Sequence, residues 1–209
     1  MALAVSGYAP VINAVPTQPG IYLYDEATGT SKFVATTGIS ASYSGSVGDY
    51  SVVISATGIT MAGGVNPCLY LDIAQAVAGV GATKLDVYYS DGTFGPTGGT
   101  YFLTTMGPAT GGLVVTSAYW DTTVFGTTHS LGGSTDVYPS TVNAAGTLVA
   151  DDYYLTIEDS ITGSALSLDS ELSVIPEPST FVAAALLLVP LGISVGHILR
   201  KHRGVKGMS

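Results

Sequence analysis

Positive charge is nearly missing from most of this sequence. Before Pro178 there are two basic residues, Lys32 and Lys84, against all 15 carboxylates, a net charge of −13 over that stretch. Nucleic acid is thereby excluded as a partner, because its phosphates demand clustered Lys and Arg. Adhesion to anionic lipid is disfavoured on the same ground. Charged residues of either sign make up only 10 % of the chain, against roughly 25 % in an ordinary soluble domain. Solubility has to come from Ser, Thr, Asn and those carboxylates.

Cysteine is down to Cys68, so no intrachain disulfide can form. A lone cysteine can pair between chains, act as a thiol, or sit as a small buried residue; no activating group stands near Cys68 in the sequence. Histidine is as scarce, with His129 alone before the C-terminal apolar run. It lies in Gly-Thr-Thr-His-Ser-Leu-Gly-Gly, a loop-like context, and no Gly-x-Ser-x-Gly elbow occurs. A Ser-His-Asp hydrolase therefore lacks its frame. One His and one Cys, 61 positions apart, do not make a transition-metal site, so no metal centre of that kind is expected. Calcium needs only hard oxygen ligands, and Asp25-Glu26, Asp91, Asp151-Asp152 and Glu158-Asp159 are its candidates. None has EF-hand spacing, and solvated loop carboxylates account for them. Asp151 and Asp152 would face opposite ways on a strand, which rules that pair out as the two acids of a glycosidase; carboxylates from distant strands are the other route to such a pair. No cofactor is expected, calcium being the single open case, and the chain is read as a non-enzyme.

Helical periodicity is also wanting between Val5 and Val174, apart from residues 73–78, which could make a turn or two. Short alternating runs take its place. Residues 21–24 and 32–36 flank a hairpin loop at 25–29. Tyr50, Val52, Ile54 and Ala56 share one face of a run whose other face carries Ser51, Val53, Ser55 and Thr57. Leu69, Leu71 and Ile73 oppose Tyr70 and Asp72; Leu85, Val87 and Tyr89 oppose Asp86 and Tyr88, with Asp91-Gly92 supplying a turn. Residues 113–120 are apolar on both faces, as in a central strand. Tyr153, Leu155 and Ile157 alternate with Tyr154, Thr156 and Glu158. Finally Leu166, Leu168, Leu172 and Val174 oppose Ser167, Asp169, Glu171 and Ser173. Period-two order with one buried and one wet face, and no fixed repeat, predicts an all-β domain. The expected fold is an antiparallel β-sandwich of jelly-roll or immunoglobulin-like type over residues 21–174, preceded by an N-terminal segment at 1–20.

Thirteen tyrosines and Trp120 are many for so polar a chain. Tyr22, Tyr24, Tyr88, Tyr154 and Trp120 fall on faces open to solvent if those faces are wet. A row of rings on a sandwich face grips polysaccharide by apolar stacking, which makes Trp120, Tyr88 and Tyr154 the candidate ligand-stacking residues. The competing account is that they are ordinary β-formers packed in a core.

The C-terminus carries the strongest signal. Residues 181–199 (FVAAALLLVPLGISVGHIL) are 19 positions without a formal charge, and as a helix they would be about 28 Å long, the thickness of a bilayer's hydrocarbon core. Pro190, Gly192 and Gly196 are tolerated in a helix surrounded by lipid. Arg200, Lys201 and Arg203 follow at once as a stop-transfer cluster, which keeps that end in the cytoplasm and puts the preceding residues outside. A buried helix of a globular core would leave unexplained why four of the six basic residues gather within seven positions. Ahead of the span stands Pro176-Glu177-Pro178, whose two fixed φ angles make a stiff, extended and accessible approach.

In this order, the Pro-Glu-Pro motif, the apolar span and the basic tail resemble the PEP-CTERM sorting signal of exported bacterial proteins, over residues 175–203, with 204–209 as a cytoplasmic tail. The resemblance implies export by the Sec translocon and a transient anchor, one C-terminal transmembrane helix, in the inner membrane of a Gram-negative bacterium. It further implies processing by an exosortase, a membrane-embedded cysteine-protease-like enzyme, and release to the cell surface or extracellular matrix. The runs DYSVVIS and YYLTIEDS also look like β-domains that carry this signal, a loose likeness that assigns no activity. The expectation is a non-enzymatic structural or adhesive protein of the matrix or biofilm. The alternative is a carbohydrate-binding module for exopolysaccharide.

Export requires a signal peptide, and Met1-Ala2-Leu3-Ala4 has neither a basic region nor room for an apolar run. Ala2-Leu3-Ala4 does have the small-x-small pattern that signal peptidase cuts. We expect these residues to be the tail of a leader that starts upstream. Reading the gene upstream in frame should reveal a basic and then an apolar stretch, and a stop codon directly before Met1 would end that expectation.

Overall fold

The computed structural model describes residues 16–60, 67–94, 98–106, 112–135, 140–147 and 153–175. Among them the regular structure is entirely strand. The strands are, in chain order, β1 (Gly20–Asp25), β2 (Thr30–Ala35), β3 (Ser40–Val47), β4 (Tyr50–Thr60), β5 (Pro67–Ala78) and β6 (Leu85–Phe94). They continue as β7 (Gly98–Met106), β8 (Leu113–Asp121), β9 (His129–Thr135), β10 (Ser140–Thr147), β11 (Tyr153–Thr162) and β12 (Ala165–Ile175). They form two six-stranded antiparallel sheets, ordered β2-β1-β6-β11-β8-β9 and β10-β7-β12-β5-β4-β3. The domain is a β-sandwich.

From β5 onward the chain folds back on itself in nested antiparallel pairs: β5 with β12, β6 with β11, β7 with β10, and β8 with β9. Successive pairs alternate between the sheets, so each strand's inward residues meet those of the facing sheet. Ile21, Leu23, Val87, Tyr89, Leu155 and Ile157 from one sheet join Val52, Ile54, Leu69, Leu71, Leu103 and Leu172 from the other in a single core. A fully buried Leu or Ile contributes about 1.5–3 kcal/mol, and a sandwich without disulfides depends on this sum.

Three local expectations fail, each for a visible reason. Residues 73–78 belong to β5 and not to a helical turn. Pairing on both sides, to β4 and β12, overrides their weak helical propensity, and Ala74 is absorbed as a bulge opposite Val53 and Ile54. Asp91-Gly92 is no turn either, since β6 runs on to Phe94 and slips register where Tyr153 meets Phe94 and Tyr154 meets Gly92. Gly92 is needed there because a Cβ would stand 2.4 Å from the Tyr154 ring. The face expected to hold Leu166 loses it: Ser167 has a φ of 52°, the alternation breaks, and Leu166 is 39 % exposed while Ala165 and Leu168 are buried. Leu168 and Leu172 keep the buried face, joined there by Ser170; the side chain of Val174 lies outside the described residues.

The larger departure concerns wetness. The outer face of the first sheet, which alternation left free to be wet, is largely dry: Tyr22, Asp86, Tyr88, Thr156 and Glu158 on it are buried. Val124 and Phe125, from the β8–β9 connection, form a second apolar cluster with Tyr22 and Tyr88. Phe125 adopts a φ of 58° there, and its N–H donates to Ser90 Oγ at 3.1 Å. By contrast, residues 113–120 do form an interior strand, β8 being bonded to β11 on one side and β9 on the other.

One polar group sits in the middle of the core. Asp159 is fully buried; Thr116 Oγ1 donates to its Oδ1 at 2.6 Å within the first sheet, and Ser170 Oγ donates to the same oxygen at 3.0 Å from the second. Burial pushes its carboxyl up to about 7, against the pull of those two hydroxyls. An unfolded Asp titrates near 3.9, so in the folded state Asp159 holds its proton longer. Its contribution is complete below about pH 4 and is lost as pH rises through 7.

The Pro176-Glu177-Pro178 motif, the span expected at 181–199, the cluster Arg200, Lys201 and Arg203, and residues 1–15 all lie outside the described residues. Among the described residues no helix is long and apolar enough to cross a membrane. The strands all belong to the unit that ends at Pro176.

Chemical denaturation from pH 4 to pH 9 should show stability falling across the interval from 4 to 7, by up to about 1.4 kcal/mol per pH unit for this group. Asp159→Asn keeps the shape and the acceptor oxygen, and should flatten that slope. An unchanged slope in the variant would show that Asp159 is not the group responsible.

Candidate functional site

The three ring residues singled out from the sequence are not brought together. Tyr88 is fully buried on the outer face of the first sheet, opposite Tyr22 at a centroid distance of 6.2 Å. Tyr154 shares that face, half-buried against the same cluster. Trp120 pairs across from Leu155, so it lies on the other face, where it packs against the core. His129, its neighbour on β9, stacks on it with centroids 4.0 Å apart and planes at 11°. Alternation identified the shared face of Tyr22, Tyr24, Tyr88 and Tyr154. It could not show the β8–β9 connection that covers much of it.

Next to Tyr88 on the same face lies a polar cluster. Glu158 accepts from the hydroxyls of Tyr88 at 2.8 Å and Tyr119 at 2.9 Å. Asp86 accepts from Ser160 Oγ, and Lys84 Nζ bridges it to Glu26, at 3.2 Å and 2.8 Å respectively. Burial pushes the Asp86 carboxyl up to about 6, opposed by Ser160 and Lys84 and assisted by the charge of Glu158. Burial, reinforced by Glu158, likewise holds the Tyr88 and Tyr119 hydroxyls far above their ordinary range. Two carboxylates from neighbouring strands thus come together, 72 positions apart in sequence, where no spacing rule would have paired them. Both are buried, and the Ser160 hydroxyl reaches both of them. The pair braces the sheet; it does not frame an open cleft of the kind two catalytic acids need around a sugar.

The described candidate calcium ligands are already engaged by backbone N–H groups, side-chain hydroxyls or Lys84. Asp25 is buried and accepts from Ala27 N–H at 3.0 Å, Thr28 Oγ1 at 2.9 Å and Asp49 N–H at 2.8 Å, clasping two hairpin loops together. Asp91 accepts from Gly92 N–H at 2.9 Å and the Tyr89 hydroxyl at 3.1 Å. Asp25, Glu158 and Asp159 are therefore buried groups and not the solvated loop carboxylates expected; Asp151 and Asp152 lie outside the described residues. Among the described residues no group of three or more His, Cys, Asp or Glu is placed to hold a metal.

An open site appears instead on the outer face of the second sheet. A shallow groove of about 220 Å³ crosses β5, β12 and β7, lined by Tyr70, Asp72, Thr104, Met106, Asp169 and Glu171. Tyr70 is 40 % exposed and Met106 49 %. Asp169 lies directly opposite Asp72 in the β12–β5 register, and partial burial together with that like charge raises its carboxyl. Carboxylates accept hydrogen bonds from hydroxyls and amines, while an open tyrosine ring offers an apolar face. The alternation of β12 from Leu168 onward carried half of this signal, for it placed Asp169 and Glu171 on one face; that Tyr70 and Thr104 flank them required the strand order.

No family model matches the chain, and no curated protein matches it.

At the margin of the groove Cys68 is 5 % exposed, with its Sγ donating to Glu171 Oε1 at 3.5 Å. Burial first, and then the Glu171 charge, push the thiol up to about 11. At pH 7 the thiolate fraction is then about 10⁻⁴, and the thiolate is the reactive form. Iodoacetamide at pH 7 should leave the folded protein unlabelled over hours and modify it within minutes in denaturant. Fast labelling of the folded state would reverse this assignment.

Proposed function

We propose that this chain is an exported, non-enzymatic protein of the bacterial cell surface or extracellular matrix, structural or adhesive in role, delivered by a C-terminal signal of the PEP-CTERM kind. The observation that carries the proposal is the order of three parts at one end: Pro176-Glu177-Pro178, the uncharged run at 181–199, and Arg200, Lys201 and Arg203. The run acts as one transmembrane helix and an inner-membrane anchor after passage through the Sec translocon, and an exosortase removes it.

The fold supports this reading. The nested pairs β5/β12, β6/β11, β7/β10 and β8/β9, alternating between two sheets, follow the scheme of a jelly roll, to which β1–β4 add a hairpin on each sheet. Strand β12 ends at Ile175, one residue ahead of the motif, so the body joins its sorting signal with almost no linker. A core closed without disulfides suits a protein whose one cysteine is buried.

A second reading, a module for exopolysaccharide, is favoured by the groove around Tyr70, Asp169 and Glu171 rather than by Trp120, Tyr88 and Tyr154. Its acidic lining selects neutral or amino-bearing sugars over acidic ones.

Expression of the full chain behind a Sec signal peptide, in a bacterium with an exosortase, should yield a product whose mass lacks the C-terminal span and which leaves the membrane fraction. Replacing Glu177 and Pro178 together by Ala should leave the uncut protein in the inner membrane. Release that proceeds equally well in a strain without an exosortase would overturn the proposal.

A further inference from the structure

Strand β3 is one rim of the second sheet, β10 being the other, and among the described residues no strand but β4 pairs with it. It joins β4 through the two-residue turn Gly48-Asp49, in which Gly48 has a φ of 53°. The pair flanking such a turn, here Val47 and Tyr50, exchanges both of its backbone hydrogen bonds. Ala41, Tyr43, Gly45 and Val47 therefore aim their N–H and C=O groups at β4, while Ser40, Ser42, Ser44 and Ser46 aim theirs away from it. Two contacts agree with this parity: the Ile39 carbonyl accepts from Gly58 N–H at 2.8 Å on the β4 side, and the Ser40 carbonyl accepts from Thr37 N–H at 2.7 Å on the outer side. The Ser46 carbonyl takes the Tyr43 hydroxyl at 2.9 Å. The outward groups of Ser42 and Ser44 have no hydrogen-bond partner among the described residues, and both residues are exposed.

Edge strands are usually shielded by a lysine, a proline, a bulge or an inward charge. The sequence SASYSGSV has no charge and no proline, and its register with β4 is unbroken over eight pairs. On the same side of the sandwich, the rim strand of the other sheet, β2, carries Lys32; at the far side, the pairing of β9 with β8 slips between Ala118 and Tyr119. Charge points to the occupant. The body is strongly acidic and repels its own copies wherever carboxylates meet, yet no acidic residue stands between Glu26 and Asp49. An antiparallel strand laid against its own copy also matches donors to acceptors without needing a second sequence.

We propose that β3 pairs antiparallel with β3 of a second copy of this chain, joining the two second sheets into one across a twofold axis. The pairing depends on the fold and not on the sorting signal, so it stands or falls separately from the function proposed above.

Sedimentation velocity of the full chain in mild detergent should give twice the protein mass of one chain, and Ser44→Pro should return it to one copy. The proline removes an outward N–H and leaves the β3–β4 ladder intact. Ser44→Lys, which retains every backbone group, should do the same by setting like charges face to face. The amides of Ser42 and Ser44 should exchange with solvent more slowly as protein concentration rises. A single-copy wild type, a two-copy species that survives both substitutions in folded protein, assemblies larger than two, or slow exchange at every concentration (another part of the chain covering the rim) would each overturn the proposal.

Discussion

Strand β12 is bonded to β5 on one side and β7 on the other, and the second sheet consists of two separate pieces without it. β10-β7 and β5-β4-β3 have no direct ladder between them. The last of the described strands is thus the one that completes the sandwich, and through Ser170 it also supplies the hydroxyl that reaches Asp159 in the facing sheet. Closure depends on contacts between residues far apart in the chain, such as Leu172 with Leu69 and Leu103. Pairings of such long sequence separation are slow to form, because loop closure precedes any gain from them.

The inter-sheet space holds mostly apolar side chains, with a few polar groups among them. Asp159, Thr116 and Ser170 make a short chain of hydrogen bonds across the core. An unsatisfied buried carboxylate costs several kcal/mol, and holding the proton is the cheaper state, as the raised titration of this group reflects. On the outer face of the first sheet the same problem has a different solution: Glu158 is served by two tyrosine hydroxyls and Asp86 by Lys84 and Ser160. Of the two lysines in the acidic body, one is spent on this buried site.

Alternation alone made much of the fold legible. Tyr50, Val52, Ile54 and Ala56 do share the buried face of β4, and Leu69, Leu71 and Ile73 that of β5. Alternation tells which residues lie on the same side of a strand; it does not tell whether a side is dry. Hence the common face of the tyrosines on β1, β6 and β11 is legible in the sequence, but its covering is not, because Phe125, 37 positions from Tyr88 and 29 from Tyr154, lies against them. The groove on the second sheet escaped notice for a related reason. Tyr70, Asp169 and Thr104 stand on three strands whose adjacency follows from the nesting of β5, β7 and β12, and no local pattern encodes that nesting. A break in alternation is invisible too, as at Ser167, whose positive φ accompanies the outward turn of Leu166.

The position of β12 also bears on how the body meets a pull. Any force transmitted from the C-terminal side enters at Ile175 and acts along the axis of a strand flanked by antiparallel neighbours on both sides. The ladder bonds to β5 and β7 stand perpendicular to that axis, so they are strained together in shear and do not open one after another as they would at a peeled edge. A tether placed there loads the sheet in its most resistant direction.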